Sequence, residues 1–316
     1  MKVVVTGGAG FIGSHVVDLL LAAGHDVAVV DNLVTGKLSN LNPRARFYQV
    51  DIVGPGFSEV MQTEQPEVVI HHAAQMSVKA STDDPLYDAK VNVLGLLNVL
   101  EACSAVRVRK IIFASSGATY GNPTYLPIDE EHPQRPESPY GITKMVAEHY
   151  LKYYALDRGL QYTALRYGNV YGPRQDSLGE AGVVAIFTRQ LLAGLTPIIH
   201  WDGEQVRDYV YVRDVAQSNL LSLTNGDGRC YCIGTGQGTS VNRIFDLLCD
   251  IVGRWVNPRR APRRPGDLRA AYFDTRRAQV ELGWEPAISL EDGLCMTVEY
   301  CRRELEPETP ALAQKL

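Results

Sequence analysis

The sequence predicts an α/β protein: a doubly wound, mostly parallel sheet with a smaller lobe toward the C-terminus. Three observations carry this expectation. Strand-like and helix-like segments alternate through the first half of the 316 residues, the pattern of βαβ units. A glycine-rich turn joins the first strand to the first helix. After about residue 170 the alternation loosens, and Gly and Pro become frequent, as in Tyr171-Gly172-Pro173.

The elements follow in order. Residues 2–6 are a short β-branched run and read as the first strand. Residues 12–23 have helical spacing and stop at Gly24. Residues 26–31, 46–50, 68–71 and 110–114 read as the next four strands. A helix is expected over 88–102 and a longer one over 139–157, with a strand at 162–166 between the second helix and the looser region. Helix-like stretches recur at 183–193, 241–252 and 289–303. Right-handed crossovers would set helices on both faces of the sheet. The tail from Glu306, with two prolines, reads as frayed.

Composition narrows the function classes. Hydrophobic residues make up 45% and charged residues 21% of the chain, ordinary values for a globular protein with a sizeable core. The formal charge of −5 provides no broad basic field for nucleic acid or a membrane surface. Arg259, Arg260, Arg263 and Arg264 cluster, but prolines punctuate them and no aromatic pattern accompanies them. No run of about 18 apolar residues exists, so no membrane span is expected. Lys2 and the apolar run after it mimic a signal peptide, yet Thr6, Gly7, Gly8 and Gly10 interrupt the run. Cys103, Cys230, Cys232, Cys249, Cys295 and Cys301 form no CxxC array, and Cys230/Cys232 reads as a strand with alternating side chains. This usage fits a reducing cytoplasm, and no residue set is assigned to a metal.

Chemistry enters at the first turn. Gly7, Gly10 and Gly13 form Gly-x-x-Gly-x-x-Gly between strand and helix. Such glycines let the backbone approach a pyrophosphate at a helix N-terminus, where free N–H groups and the macrodipole favour anions. Asp31 closes the second strand. A carboxylate there accepts bonds from both ribose hydroxyls and repels a 2′-phosphate, which favours NAD over NADP on a Rossmann-type sheet. Tyr140-Gly141-Ile142-Thr143-Lys144 is Tyr-x-x-x-Lys. Positions four apart share a helix face. A neighbouring ammonium would lower the phenol's ordinary pKa, near 10, and make it a general base for a sugar hydroxyl. Upstream, Ala114-Ser115-Ser116-Gly117-Ala118-Thr119-Tyr120-Gly121 follows a strand and supplies a hydroxyl that can share the proton.

With these parts in order, the chain resembles the UDP-glucose (UDP-galactose) 4-epimerases of the extended short-chain dehydrogenase/reductase family over nearly its whole length. The likeness includes His71-His72-Ala73-Ala74-Gln75, the run from Arg166 to Arg174, Val206-Arg207-Asp208-Tyr209-Val210, and Arg263-Arg264-Pro265-Gly266-Asp267-Leu268. It implies catalytic roles for Ser116, Tyr140 and Lys144. It implies cofactor contacts from Gly7, Gly10, Phe11, Ile12, Gly13, Asp31 and Asn32, with Asp51 and Ile52 flanking the adenine. Ala73, Ala74, Asn92, Ser115, Tyr140 and Tyr167 would line the rest of the groove, with Lys144 also on the nicotinamide ribose. The substrate side would comprise Asn169, Val184, His200 near uracil, Arg207 on the diphosphate, and Arg264 with Asp267 as a second clamp. An arginine fork suits phosphate oxygens.

The resemblance also divides the chain. Residues 1–168, with a return segment at 205–235, would bind NAD, and 169–204 with 236–310 would bind the nucleotide sugar. Family members often dimerise through a four-helix bundle, so a homodimer using the helices at 88–102 and 139–157 is expected. Related 4,6-dehydratases carry Asp-Glu after the serine strand, and related decarboxylases a Glu. This chain has Gly117-Ala118-Thr119 there, which favours epimerisation. Elimination would need another acid, such as Glu130 or Glu180. Ala271 stands where a bulky Tyr would restrict the sugar pocket, leaving room for an N-acetyl group. Met76 stands where some members carry a lysine beside the nicotinamide, which bears on NAD retention.

Overall fold

Seven strands, the central ones rich in buried Val and Ile, line up side by side to make the main sheet. The computed structural model describes residues 1–176, 182–264 and 266–305. Strands β1 (Lys2–Thr6), β2 (Asp26–Asp31), β3 (Arg46–Gln49), β4 (Val68–His71), β5 (Lys110–Ser116) and β6 (Gln161–Tyr167) belong to this sheet. Three short strands fall outside it: β7 (Asn169–Tyr171), β8 (Ile198–His200) and β9 (Val206–Tyr211). The seventh member is β10 (Arg229–Ile233), and the order across the sheet is β10-β6-β5-β4-β1-β2-β3. Every pairing in it is parallel. The chain therefore winds outward in both directions from β1 and β4. Ligands of such sheets bind at this switch point, beyond the carboxyl ends of the strands.

Helices cover both faces. On one, α1 (Phe11–Ala22) packs beside the helix that follows β9, over Val3, Val5, Val29 and Ile70. The other face carries α2 (Gly56–Glu64), three short pieces and a long helix. The pieces are α3 (Val78–Asp83), α4 (Pro85–Ala89) and α5 (Gly95–Ala105), and the long helix is α6 (Pro139–Arg158). They bury Val4, Val69, Ile111 and Leu151 beneath them. A single turn of π-helix, Lys90–Leu94, joins α4 to α5 and widens the helix where Asn92 turns inward.

A second apolar cluster forms where α7 (Val183–Leu192), α8 (Val212–Leu221) and α9 (Val241–Val252) meet the C-terminal helix α10 (Leu290–Leu305). α8 also backs the first face of the sheet through Val215 and Ala216. Beside this cluster, β9 pairs with β7, with β11 (Gly238–Ser240) and, further on, with Ala270–Ala271. β8 pairs with β12 (Arg259–Ala261); Ala270–Ala271 is β13.

The expected strands at 2–6, 26–31 and 68–71 coincide with β1, β2 and β4, and β5 runs two residues further, to Ser116. The helix expected over 88–102 is interrupted: α4, the π turn and α5 share its span. Helices α2, α3 and α8 were not anticipated. No described helix is long and apolar enough to cross a membrane. Among the described residues no cluster of His, Cys, Asp and Glu could hold a metal ion. Glu180, Pro265 and the tail from Glu306 lie outside the described residues.

Candidate active site

The first turn is built for close approach. Gly7 has φ of 70°, and a Cβ there would sit 2.6 Å from the Ala73 nitrogen. Only glycine lets the loop after β1 lie against the loop after β4. Gly10 then starts α1 with no side-chain cap and no acid in the first turn, which leaves an electropositive helix end. At the end of β2 the buried Asp31 carboxylate accepts the Ala9 N–H at 3.0 Å and the Leu33 N–H at 2.8 Å. The carboxylate is thereby fixed beside the glycine loop. This cradle fits a dinucleotide: uncapped N–H groups for the pyrophosphate and an oriented acid for a ribose.

The other expected groove residues surround it. Asn32 is exposed and donates to Asp51 at 3.1 Å; Ile52 is buried in the core with Gly95 against it. Ile12 is half-buried, and Phe11 meets the His15 ring edge-on at 6.2 Å. Ala73 and Ala74 are half-buried after β4. Asn92 is committed to the protein: its amide donates to the Gln75 carbonyl at 2.9 Å and its oxygen accepts the Gln75 N–H at 2.9 Å. It shapes the groove by pinning the chain after Ala74. The Tyr167 side chain is likewise turned inward, stacked on His72 and accepting from Asn219 at 2.8 Å.

The two serines separate by strand alternation. Ser115 donates to Glu148 at 2.6 Å on the inner side. Ser116 points the other way, accepts the Ala118 N–H at 3.1 Å and stands near enough to the Tyr140 phenol to act on its titration. Helix α6 brings that phenol into place. Ser138 caps it by accepting the Gly141 N–H, Pro139 opens it, and Gly159 ends it with φ of 70°. A Cβ at Gly141 would lie 2.5 Å from the Ala118 carbonyl oxygen, so glycine allows the first turn to press onto the loop that carries Ser116.

Lys144, one turn on, is buried and donates to the Ala114 carbonyl at 2.8 Å; its ammonium lies 5.8 Å from the Tyr140 ring centroid. Here the electrostatics depart from expectation. Burial pushes the phenol up to about 12; the Ser116 hydroxyl opposes this, and the Asp88 carboxylate adds to it. Burial also draws Lys144 down to about 8, against the pull of Asp88 and Glu148. In the chain by itself, desolvation outweighs the ammonium, which is engaged with a backbone carbonyl rather than with the phenol.

Two acids that sequence reasoning missed organise the surroundings. Asp88 is fully buried and accepts from Thr143 at 3.0 Å, Asn92 at 3.0 Å and Gln75 at 2.7 Å. It ties the first turn of α6 to the groove. Glu148 forms a buried pair with Arg166, 2.6 Å between Nη2 and Oε2, and Arg166 donates onward to the Tyr120 hydroxyl at 2.6 Å. Both signals were present in the sequence: Glu148 continues the four-residue stripe from Tyr140 and Lys144, and Asp88 stands four before Asn92.

The second group lies around β9. Arg207 pairs with Asp267 at 3.0 Å and also donates to the Leu268 carbonyl at 2.8 Å. Arg264 is exposed, and no ion pair among the described residues engages it. His200 ends β8 with Nδ1 3.1 Å from the Pro262 carbonyl, and Asn169 is exposed at the start of β7. Ala271 is half-buried beside Tyr120 and Phe273. The Val184 side chain is buried in the apolar cluster around α7. Glu130, the alternative acid, accepts the Cys232 N–H at 2.7 Å and faces Arg277 at 3.5 Å, so its carboxylate is engaged at the β10 edge.

Comparison with known proteins agrees with this construction. Residues 3–234 match the NAD dependent epimerase/dehydratase family. The UDP-glucose 4-epimerase of Mycolicibacterium smegmatis is 42% identical over 311 residues, covering 96% of this chain and 99% of that protein. The structure of a UDP-glucose 4-epimerase with UDP-glucose from Thermotoga maritima superposes with a TM-score of 0.95 at 50% identity, over 97% of this chain and 100% of that one. A Thermus thermophilus UDP-glucose 4-epimerase in complex with NAD gives 0.91 at 44% identity, over 96% and 99%. From its glycine loop, its Ser-Tyr-Lys cluster and these matches, the chain belongs to the NAD dependent epimerase/dehydratase family.

Proposed function

We propose that this chain is an NAD-dependent UDP-hexose 4-epimerase, in which Ser116, Tyr140 and Lys144 act at the sugar's C4. The observation that carries the reading is the convergence of Ser116, Tyr140 and Lys144 beyond the carboxyl end of β5, with no carboxylate in the Gly117–Thr119 turn beside them. Tyr140 would take the C4 hydroxyl proton, with the Ser116 hydroxyl beside it to share that proton. NAD, when bound, would supply the acceptor for hydride from C4 and the donor for its return. Gly7, Gly10, Phe11, Ile12 and Gly13 would hold its pyrophosphate, and Asp31 a ribose. Asn32, Asp51, Ile52, Ala73, Ala74, Asn92, Ser115 and Tyr167 would shape the rest of its groove. The Lys144 ammonium stands by the phenol and keeps a positive charge at neutral pH, since it titrates near 8.

The UDP end stays fixed while the sugar turns. Arg207 and Arg264 would bind the diphosphate, Asp267 the uridine ribose, and His200 the uracil side; Asn169 and the Val184 backbone would complete the pocket. Ala271 leaves space for a 2-acetamido group, so UDP-GlcNAc and UDP-GalNAc join UDP-glucose and UDP-galactose as expected substrates. Residues 1–168 with 205–235 form the cofactor half of this reading, and 169–204 with 236–310 the substrate half. The protein is expected to act in the cytoplasm as a homodimer.

The test is incubation of the purified chain with UDP-galactose, with and without added NAD, followed by NMR and mass analysis. The reading predicts UDP-glucose of unchanged mass. Loss of water from the product, or no conversion with NAD present, would contradict it.

A further inference from the structure

Trp201 occupies a position that ordinarily suits glycine. It directly follows β8 with φ of 60°, in the left-handed region that is unfavourable for any residue with a side chain. Such a conformation persists where the surroundings hold it, and it points to a use for the side chain.

Two guanidinium groups provide the hold. The Arg263 Cζ lies 4.6 Å from the indole centroid and the Arg269 Cζ 5.0 Å. Each cation is also tied elsewhere. Arg263 donates to the Asp267 carbonyl at 2.6 Å. Arg269 donates to both carboxylate oxygens of Asp202, at 3.0 and 2.7 Å, so it closes back on the residue next to Trp201. Asp267 is in turn the residue whose carboxylate pairs with Arg207, and Arg207 holds the neighbouring Leu268 carbonyl. Asp267 and Leu268 are therefore gripped from two sides, by Arg207 of β9 and by Arg263, whose guanidinium also lies on the indole. The Trp201 N–H donates to the Ala261 carbonyl at 2.9 Å, which anchors the indole's own backbone to β12.

We propose that Trp201 is a positioning residue for nucleotide recognition: its indole, contacted by Arg263 and Arg269, fixes Asp267 so that Asp267 and Arg207 are presented together to a nucleoside diphosphate. The proposal rests on the reading that this site takes a UDP-sugar. When a diphosphate draws on Arg207, the carboxylate of Asp267 loses its partner in the chain and becomes available to a ribose hydroxyl. The indole keeps the Asp267 backbone in place during that exchange, so less ordering remains to be done on binding.

Trp201→Gly removes the indole and suits the backbone conformation, so the fold is retained. Calorimetric titration with UDP and steady-state kinetics with UDP-galactose are then compared in the parent, Trp201→Gly and Trp201→Phe. The expected result is a roughly tenfold weaker Kd for UDP in Trp201→Gly, the effect that two partly exposed cation–π contacts can supply. The KM for UDP-galactose should rise in step while kcat stays within about twofold. Trp201→Phe should recover most of the affinity. An unchanged Kd in Trp201→Gly, a fall in kcat without a change in KM, or no recovery in Trp201→Phe would overturn the proposal. A parent chain that binds UDP without converting the sugar counts against the epimerase reading alone; a parent that binds no UDP overturns both.

Discussion

Tyr140 and Asp31 illustrate how single side chains here are set by neighbours distant in sequence. The Tyr-x-x-x-Lys spacing correctly puts phenol and ammonium on one helix face, yet the spacing is silent on what else each group touches. Lys144 donates a hydrogen bond to the Ala114 carbonyl, and burial leaves the phenol near 12 in the chain by itself. The phenol therefore needs further positive charge close by before it can act at neutral pH, which is consistent with a site that works only when its oxidised cofactor is bound. Asp31 is the clearer case, because its place at the end of β2 was readable and its environment supports the assignment. Replacing it in Asp31→Ala removes the proposed ribose acceptor and frees the Ala9 and Leu33 N–H groups. Loss of charge-assisted bonds of this kind costs about 1.5–3 kcal/mol, so NAD affinity should fall about 10- to 100-fold by calorimetry. Affinity within twofold of the parent would remove Asp31 from the cofactor site.

At the scale of elements, legibility followed burial and contiguity. β1, β2 and β4 were readable to the residue because strands covered on both faces are near-continuous apolar runs bounded by turns. α2 and α8 were missed although Phe57, Val60, Met61 and Glu64, and Val212, Val215, Ala216 and Asn219, repeat at helical spacing. In α2 the Gly-Pro-Gly run before it reads as loop, and in α8 polar residues at buried positions blur the stripe. The break at Lys90–Leu94 was invisible because a π turn has no composition of its own. Pairings between elements were also beyond reach. Arg166 was noticed as part of a motif, but its bond to Glu148 joins β6 to α6 across the sheet. That pair fastens the helix bearing Tyr140 and Lys144 to β6, and Ser115 fastens it to the strand bearing Ser116. Glu148→Ala should leave a buried guanidinium without its partner and lower unfolding free energy by about 3–5 kcal/mol in chemical denaturation. A loss under about 1 kcal/mol would mean that the pair does not secure α6.

Across the whole molecule, the winding order of the sheet brings the first glycine turn, the loop after β4 and the serine strand to one edge, so widely separated motifs meet. The same molecule leaves an apolar strip on the outside of its α4–α6 layer: Leu86, Leu94, Ile142, Tyr153 and Leu156 are all exposed. These exposed apolar residues are the surface that the proposed homodimer would cover. Leu156→Glu should shift the mass in light scattering at micromolar concentration from two chains to one; a parent that is already monomeric would end that expectation. Histidines set a further global property. Burial draws His71 and His72 down to about 3 and His15 to about 4, from an ordinary 6.5. The unfolded chain thus binds protons that the folded chain refuses between those values, so stability is lost as pH falls below about 6.5. On the order of 1–2 kcal/mol per histidine should be gone at pH 5, visible as a falling Tm between pH 7 and 5. A flat Tm over that interval would contradict these buried, neutral rings.

The most direct test of the account concerns the phenol. Tyr140→Phe keeps the ring and removes the one oxygen that can take the C4 proton. With NAD and UDP-galactose present, kcat should fall at least about a hundredfold, while the Kd values for NAD and UDP stay within a few-fold of the parent. Undiminished conversion by Tyr140→Phe would contradict the assignment of that phenol as the base and the mechanism built on it.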